Sequence, residues 1–369
     1  MGTKNRNIDV GLLLVVLSLV GAGIVMVFSA SSVSAYYEYN DSYYFLKKQI
    51  FWAIIGLPIM FFMANYNFHK LNKIALPLLI VTGVLLLMVF VPGIGIEKKG
   101  SHRWVGIGSQ SFQPSELAKL AIVIFLAASL SKRKDILKSF FKGLLPYLGV
   151  IGILCAMIII EPHLSSTVIV FLVGFIILFT AGARLTHLFG LMGVGVMGVV
   201  MAIIAEPYRF DRFKAFMDPW AYSSKEGYQI TQSLMAIGSG GFFGLGLGMS
   251  RQKQLYIPEP HNDFVFSIIG EELGFIGAIV VLLLFLMFIW KGIKIAVHSP
   301  DMFGSLLATG ITSLIAIQVV INVAVVTSSM PVTGQPLPFF SAGGTSLVFL
   351  LAAVGILLNI SRYSNYDRG

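Results

Sequence analysis

The sequence predicts an all-α, polytopic membrane protein with about ten transmembrane helices. Of its 369 residues, 56% are hydrophobic and only 12% are charged, and the mean hydropathy is +0.85. Such a chain has too few polar side chains to cover a water-soluble globule. Its single cysteine, Cys155, excludes an intrachain disulfide and a cysteine-based metal cluster. Soluble enzymes and secreted disulfide-rich scaffolds are therefore excluded.

Apolar stretches long enough to cross a bilayer follow one another along the chain. They cover residues 10–30, 50–66, 74–92, 115–131, 144–161, 164–181, 185–206, 264–290, 304–327 and 343–361. The first stretch follows Lys4 and Arg6 and resembles a secretory signal. Its apolar core is longer than a signal h-region, so we interpret it as a retained first helix. Residues 1–369 are treated as one integral membrane domain.

The basic residues of the short loops predict that both termini lie in the cytoplasm. With this orientation most short-loop cations are cytoplasmic, namely Lys4, Arg6, Lys70, Lys73, Lys132, Arg133, Lys134, Lys138, Lys142, Arg184, Lys291, Lys294, Arg362 and Arg368. The external short loops hold fewer, namely Lys47, Lys48, Lys98, Lys99 and Arg103. The long segment 207–263, between the seventh and eighth spans, is then extracellular.

Segment 207–263 is much longer than an ordinary connection, and loops of that length are usually functional or disordered. Its glycine-dense run at 238–248 and its aromatic residues Trp220, Phe242 and Phe243 favour an ordered, re-entrant or surface-packed structure. The loop carries cations against the orientation bias, at Arg209, Arg212, Lys214, Lys225, Arg251 and Lys253. An anionic ligand at the outer membrane surface would explain them, and binding to lipid headgroups is the alternative.

Ionisable residues at membrane depth are candidates for a functional site. Glu116 and Lys119 lie three residues apart on one face of the fourth span, which suits either a structural ion pair or a site. Glu271 and Glu272 lie within the eighth span, where an interhelical hydrogen bond is the structural alternative. Asp263 immediately precedes the apolar run of that span. It suits a helix N-cap or a partly buried general base.

Other motifs narrow the class of site. The sequence contains no Walker A motif, dinucleotide fingerprint or GxSxG elbow, so we expect neither a nucleotide substrate nor nucleic acid. His261 has no cysteine or histidine at ligand spacing, which argues against zinc. Segment 331–344, rich in proline and glycine, interrupts the apolar chain before the last span. Irregular backbone at that depth is tolerated only where it is buried in protein or lines a cavity.

Ordered motifs extend along almost the whole chain. They are Arg103-Trp104, Phe112-Gln113-Pro114-Ser115-Glu116 with Lys119, Tyr208-Arg209 with Arg212, Pro219-Trp220, Gly227-Tyr228-Gln229, Gly244-Leu245-Gly246, Ser250-Arg251-Gln252-Lys253, Pro258-Glu259, Asp263-Phe264, Glu271-Glu272-Leu273-Gly274 and the segment 331–346. Through these motifs the chain resembles the SEDS family (shape, elongation, division and sporulation), and its FtsW and SpoVE branch more than its RodA branch. One departure is Glu161-Pro162-His163, where family members more often have an aspartate after the proline. Whether His163 keeps a role of that aspartate stays open.

The resemblance implies a peptidoglycan glycosyltransferase that polymerises lipid II on the outer face of the cytoplasmic membrane, at the septum, during division or sporulation. It implies a class B penicillin-binding protein and other divisome proteins as partners. A divalent cation, Mg²⁺ or Mn²⁺, is the one candidate cofactor, with no metal ligands predicted in the protein.

Diphosphate is a good leaving group, so one base with electrostatic stabilisation can suffice for the reaction. We expect Asp263 to deprotonate the acceptor 4-hydroxyl, with inversion at the anomeric carbon of the donor. We expect substrate contacts from a wider set, namely Arg209, Arg212, Arg251, Lys253, Glu116, Lys119, Trp104, Gln229, Thr333 and Ser341.

Two other functions stay open on the sequence. A lipid II flippase would use charged groups near the membrane midplane, and Glu116, Lys119 and Glu271 suit it. A non-catalytic division scaffold that recruits a transpeptidase would use the long loop as contact area. The concentration of charge in one extracellular loop favours the polymerase.

Overall fold

The computed structural model describes residues 7–98, 101–107, 110–132, 137 and 139–364. Helices dominate this part of the chain. They are α1 (Val10–Tyr39), α2 (Tyr44–Asn65), α3 (Leu71–Met88), α4 (Pro114–Leu130), α5 (Leu145–Ile160), α6 (Leu164–Thr180), α7 (Leu185–Ile204), α8 (Pro207–Met217), α9 (Tyr228–Gly240), α10 (Val265–Val297), α11 (Met302–Val326) and α12 (Thr345–Ser361). A 3-10 turn (Phe68–Lys70) leads into α3 and a π-helical turn (Phe140–Leu144) into α5.

Each predicted span coincides with a helix, which confirms the prediction of an all-α, multi-pass membrane protein. Among the described residues, seven helical segments are long and apolar enough to cross a membrane, and α6 and α12 are shorter apolar helices. The fourth predicted span is α4, of 17 residues. Some cations that were used to predict orientation lie outside the described residues, namely Lys4, Arg6, Lys99, Arg133, Lys134, Lys138 and Arg368.

Short polar residues fix where several helices begin. The Asp9 carboxylate accepts a hydrogen bond from the Leu12 amide at 2.8 Å, and Asp301 accepts one from the Gly304 amide at 2.7 Å. Both aspartates satisfy amides that have no partner within the first turn of α1 or α11. Pro114 is in the first turn of α4, where a missing amide proton costs nothing.

The helices pack into one bundle with an open side at α7. Helix α2 packs against α12, α10 against α11, and α3 against α4, while α6 contacts α4, α5 and α11. Only Leu188 of α7 is buried, so most of that helix faces the surroundings of the bundle. An apolar cavity of about 910 Å³ lies between α5, α6 and α7. This groove follows from the loose packing of α7.

A small antiparallel sheet, which the sequence did not predict, joins α3 to α4. Its strands are β1 (Gly95–Lys98), β2 (Ser101–Ile107) and β3 (Gln110–Phe112), in the order β1-β2-β3. Val105 of β2 lies opposite both Gly95 and Phe112. Strands this short give no clear alternating pattern in the sequence. The sheet matters because β2 carries Arg103.

The long loop is ordered, as predicted, and its glycines pack directly against α10. The Leu245 and Gly246 amides donate to the carbonyls of Glu271 and Glu272 at 2.9 and 3.0 Å. Helix α10 breaks at Gly274, whose φ is +67°. A Cβ at Gly274 would lie 2.3 Å from the Gly244 nitrogen, so only glycine allows this approach.

Candidate active site

Asp263 lies in the connection that precedes α10. That helix begins at Val265 with Phe264 as its N-cap residue, so the interpretation of Asp263 as the N-cap is wrong. The Asp263 side chain is half-buried, and a Cβ on Gly334 would lie 3.4 Å from its Oδ2 atom. Its main-chain carbonyl accepts a hydrogen bond from Asn322 Nδ2 of α11 at 2.8 Å. Asp263 is therefore held against segment 331–344.

Arg212 brings a positive charge to Asp263. It extends from α8 and interacts electrostatically with the Asp263 carboxylate. Its Nη1 atom donates to the Val332 carbonyl at 3.0 Å, and its guanidinium lies 4.3 Å from the centre of the Tyr208 ring. Burial lowers the pKa of Arg212 from its ordinary value, but a guanidinium stays charged at neutral pH. The carbonyl contact and the ring fix the orientation of this cation.

Arg103 of β2 is a second cation that interacts electrostatically with Asp263. Its Nε and Nη2 atoms donate to the carbonyls of Glu161 and Pro162 at 3.0 and 2.6 Å. Burial lowers its pKa, as does the charge of Arg212, while the charges of Glu161 and Asp263 act in the opposite direction. Arg103 thus connects the sheet, the α5–α6 connection and Asp263.

Glu161 and His163, in the connection between α5 and α6, are both buried. Neither carboxyl oxygen of Glu161 has a hydrogen-bond partner among the described residues. Burial raises the pKa of Glu161 to about 8, and the charge of Arg103 opposes that shift. Burial lowers the pKa of His163 well below its ordinary value, and the charges of Arg103 and Lys119 lower it further. Burial therefore favours the uncharged form of both side chains.

Glu116 and Lys119 form the predicted ion pair. Lys119 Nζ lies 2.7 Å from Glu116 Oε1, with side-chain exposures of 1% and 12%. Both residues line a small cavity of about 40 Å³, together with Gln318 and Ser341. The Ser341 hydroxyl accepts a hydrogen bond from the Leu337 amide at 2.8 Å. The pair therefore lies beside the irregular segment that also contacts Asp263.

Segment 331–344 is irregular and largely buried, as its composition predicted. The Ser165 hydroxyl donates to the Thr333 carbonyl, and the Ala342 amide donates to the His261 carbonyl at 2.9 Å. Thr333 Oγ1 and the side-chain amide of Gln335 are buried without a hydrogen-bond partner in the described part of the chain. These atoms are available for polar contacts that the folded chain itself does not make.

Lys253 lies in a different environment from the one predicted. Its Nζ atom is buried 2.8 Å from Glu272 Oε1 and 3.2 Å from the Ser29 hydroxyl. Glu271 accepts hydrogen bonds from the Ser250 hydroxyl and from the Arg251 amide, the latter at 2.9 Å. Both carboxylates therefore attach the loop to α10, so the partners of Glu271 lie in the loop and not in another helix as the structural alternative expected. The buried ion pair gives Lys253 a structural role, and its role as a substrate contact stays a prediction.

The remaining predicted contacts are scattered. Arg209 Nη1 donates to the Ala202 carbonyl at 3.0 Å, and the Arg251 side chain is exposed. Trp104 is half-buried on β2, next to Arg103, and Gln229 is half-buried in the first turn of α9. Their roles as substrate contacts stay predictions.

Sequence reasoning missed three residues of the site as participants. Arg103 and Glu161 were noticed only as parts of motifs, and Asn322 was not noticed. A polar residue deep in an apolar span was an available signal for Asn322. We refer to Arg103, Glu161, Arg212 and Asp263 as the charged cluster. A carboxylate that interacts with two guanidinium groups suits proton abstraction near an anionic leaving group.

The chain is similar to known proteins over almost its whole length. The sequence profile FTSW_RODA_SPOVE, described as "Cell cycle protein", matches residues 10–366. The chain is 44% identical to stage V sporulation protein E of Bacillus subtilis, over 99% of this chain and 100% of that protein. It is 42% identical to the probable peptidoglycan glycosyltransferase FtsW of Geobacter sp. strain M18, over 96% of each chain.

Two solved structures are similar over almost the whole chain. The first is described as "Structural coordination of polymerization and crosslinking by a peptidoglycan synthase complex". Its TM-score is 0.81 and its sequence identity to this chain is 28%, and the match covers 97% of this chain and 98% of the other. The second is the rod shape determining protein RodA of Thermus thermophilus, with a TM-score of 0.73, 28% identity and coverage of 98% and 99%.

Proposed function

Because the chain belongs to the FtsW/RodA/SpoVE family of cell cycle proteins, we propose that it is a peptidoglycan glycosyltransferase. It polymerises lipid II into glycan strands on the outer face of the cytoplasmic membrane, in septal wall synthesis during division or sporulation. The observation that carries this proposal is the half-buried Asp263 carboxylate, which interacts electrostatically with both Arg103 and Arg212.

The charged cluster suits each demand of the reaction. Asp263 takes the proton of the acceptor 4-hydroxyl, and the acceptor oxygen forms a bond to the anomeric carbon of the donor. The bond from that carbon to the diphosphate breaks on the opposite face, and the undecaprenyl diphosphate leaves with the electron pair. Arg212 and Arg103 stabilise the negative charge of the leaving group in a site that is partly shielded from water.

The apolar groove between α5, α6 and α7 suits the polyprenyl tail. Its lining includes Leu164, which directly follows His163, so one end of the groove lies beside the charged cluster. A lipid tail in the groove would place its diphosphate near the two arginines. The loosely packed α7 would let the tail enter sideways from the bilayer.

A divalent cation is retained as part of the proposal. In the described part of the chain no three His, Cys, Asp or Glu residues are grouped as a metal site. Mg²⁺ is commonly held by one or two carboxylates together with substrate phosphates, so the Asp263 carboxylate fits an ion that arrives with the diphosphate. Such an ion would supply additional stabilisation of phosphate charge. Chelation followed by readdition of Mg²⁺ or Mn²⁺ tests this.

We propose a class B penicillin-binding protein as partner, in keeping with the peptidoglycan synthase complex that the fold resembles. Other divisome proteins and enrichment at the septum belong to the same proposal. Co-purification of the full-length chain with its cognate class B protein, and imaging of a fluorescent fusion in dividing and sporulating cells, test these points.

The decisive experiment is polymerisation of labelled lipid II by the purified protein with its class B partner. We expect Asp263→Asn to reduce the rate about 100- to 10,000-fold, the usual contribution of a general base. Asp211→Asn is the matched control, because Asp211 is in the same loop and pairs only with the exposed Lys214 in the described contacts. A different outcome would support a flippase instead of a polymerase. In that case wild type and Asp263→Asn would both translocate lipid II in vesicles, and neither would make glycan strands.

A further inference from the structure

Asn322, in the second half of α11, joins the two segments that form the charged cluster. Its side chain is buried, with 1% exposure. The Nδ2 atom donates one hydrogen bond to the Asp263 carbonyl and another to the Gln335 carbonyl, each at 2.8 Å. One carboxamide nitrogen carries two protons, so both are used. The opposite amide orientation would place oxygen against two carbonyl oxygens and is excluded by their repulsion.

One of the two carbonyls belongs to Asp263 itself, and the other belongs to Gln335 in the segment that borders the Asp263 carboxylate. Gln335 directly follows Gly334, which borders Asp263 Oδ2. A single side chain on a rigid helix therefore sets the spacing between the backbone of Asp263 and the backbone that borders its carboxylate. Arg212 is bonded to the same segment through Val332. A shift of segment 331–335 would move both the base and a cation relative to each other.

We infer that Asn322 is the positioning residue for Asp263 in the polymerisation reaction. It acts through the main chain and makes no contact with substrate. This inference rests on the proposed function, since it assigns a role within the same site. Loss of its two donors lets Asp263 and segment 331–335 separate, and misplacement of a reacting group by about 1 Å can cost roughly 100-fold in rate.

The chain offers a matched control at Asn359 of α12. This side chain is also buried with 1% exposure. Its Nδ2 atom donates to the Ala64 carbonyl at 2.8 Å, and its Oδ1 atom accepts from the Phe68 amide at 3.0 Å. It joins α12 to the α2–α3 connection, which lies at the opposite end of the bundle from Asp263. Asn359→Ala thus removes a comparable buried clamp away from the charged cluster.

The test measures kcat and KM for labelled lipid II with the full-length protein and its class B partner, alongside the thermal unfolding midpoint. We expect Asn322→Ala to lower kcat about 10- to 100-fold with KM changed less than about 2-fold. We expect Asn359→Ala to lower the unfolding midpoint by a similar amount while kcat stays within about 2-fold. Asn322→Gln, which keeps both carboxamide donors on a side chain one methylene longer, should recover part of kcat.

Two results would overturn the inference. One is an equal loss of kcat in Asn322→Ala and Asn359→Ala, which would mean that Asn322 only stabilises the fold. The other is a rise in KM with unchanged kcat, which would assign Asn322 to substrate binding. Failure of the proposed function looks different, because then the wild-type complex itself makes no glycan strands. If Asn322→Ala does not fold, the comparison of Asn322→Gln with Asn359→Gln decides by the same criteria.

Discussion

Lys253 and Glu272 form a buried ion pair, with Nζ 2.8 Å from Oε1 and side-chain exposures of 5% and 0%. Ser29 of α1 donates to the same carboxylate, at 2.7 Å to Oε1. The pair therefore joins the long loop to α10 and α1. Removing one member would leave the other buried without a counter-charge, which is far more costly than replacing both.

We accordingly expect Lys253→Met to lower the free energy of unfolding by about 3–5 kcal/mol. The double variant Lys253→Met with Glu272→Gln should recover most of that loss, because no charge then remains unpaired. Thermal unfolding of the purified protein measures both. Lys214→Met is the control, since the Lys214–Asp211 pair is exposed and should contribute little.

The opposite result for Lys253→Met would support a role of Lys253 in substrate binding. If Lys253→Met leaves the unfolding midpoint unchanged and raises the KM for lipid II instead, then its ammonium binds diphosphate and the pair with Glu272 contributes little to the fold.

The sequence was sufficient for the features that depend on local pattern. Each apolar stretch became a helix because about 20 apolar residues can satisfy their backbone only in that form within a bilayer. Glu116 and Lys119 were predicted to pair because helical geometry places residues three apart on one face. Asp263 was singled out by its position at the boundary between a polar loop and an apolar span.

The features that depend on tertiary contact could not be predicted in this way. Lys253 was taken as one of several cations of the extracellular loop, because nothing in the local sequence indicates that the loop returns to α10 beside Glu272. Glu161 is in contact with Arg103 only through the fold, 58 residues apart in the chain. The role of Asn322 depends on hydrogen bonds to two carbonyls in separate segments. Such contacts between segments distant in sequence leave no periodic signal.

Arg212→Lys tests whether the guanidinium at Asp263 is required for its shape as well as its charge. A lysine cannot both donate to the Val332 carbonyl and lie flat over the Tyr208 ring as the planar guanidinium does. The loss of one hydrogen bond from a charged donor, worth about 1.5–3 kcal/mol, predicts that kcat/KM falls by at least about 10-fold. Polymerisation kinetics with lipid II measure it.

The reverse exchange, Lys214→Arg on the same helix, is the control and should change kcat/KM little, because Lys214 is exposed. If Arg212→Lys keeps kcat/KM within about 2-fold of wild type, charge alone is needed at this position and the oriented-guanidinium argument is wrong.

Gly274→Ala tests the break in α10. The added Cβ would lie 2.3 Å from the Gly244 nitrogen, at a residue whose φ of +67° already disfavours a side chain. We expect a large fall in the unfolding midpoint, or no folded protein, because the loop can no longer donate hydrogen bonds to the Glu271 and Glu272 carbonyls.

Gly238→Ala in α9 is the control, since its added Cβ meets no atom within 4 Å. That variant should be as stable as wild type or more so, because alanine favours a helix. Equal stability of the two variants would mean that the glycine contact does not constrain the loop.

Glu161→Gln tests the buried carboxyl of the charged cluster through the pH dependence of stability. Burial raises the pKa of Glu161 from an ordinary value of 4.5 to about 8. Between these values the folded protein binds a proton that the unfolded chain does not, so stability falls as the pH rises. The contribution of the protonated carboxyl is complete below about pH 4.5 and is lost as the pH rises through about 8.

Glutamine keeps the shape of the protonated carboxyl and does not ionise. The unfolding midpoint of Glu161→Gln should therefore exceed that of wild type increasingly from pH 5 to pH 8.5. The difference between the two proteins isolates Glu161, because His163 and the other titrating groups are common to both. Thermal unfolding across this range in matched buffers provides the measurement. A difference that does not depend on pH would mean that Glu161 has an ordinary pKa and is already ionised beside Arg103 at neutral pH.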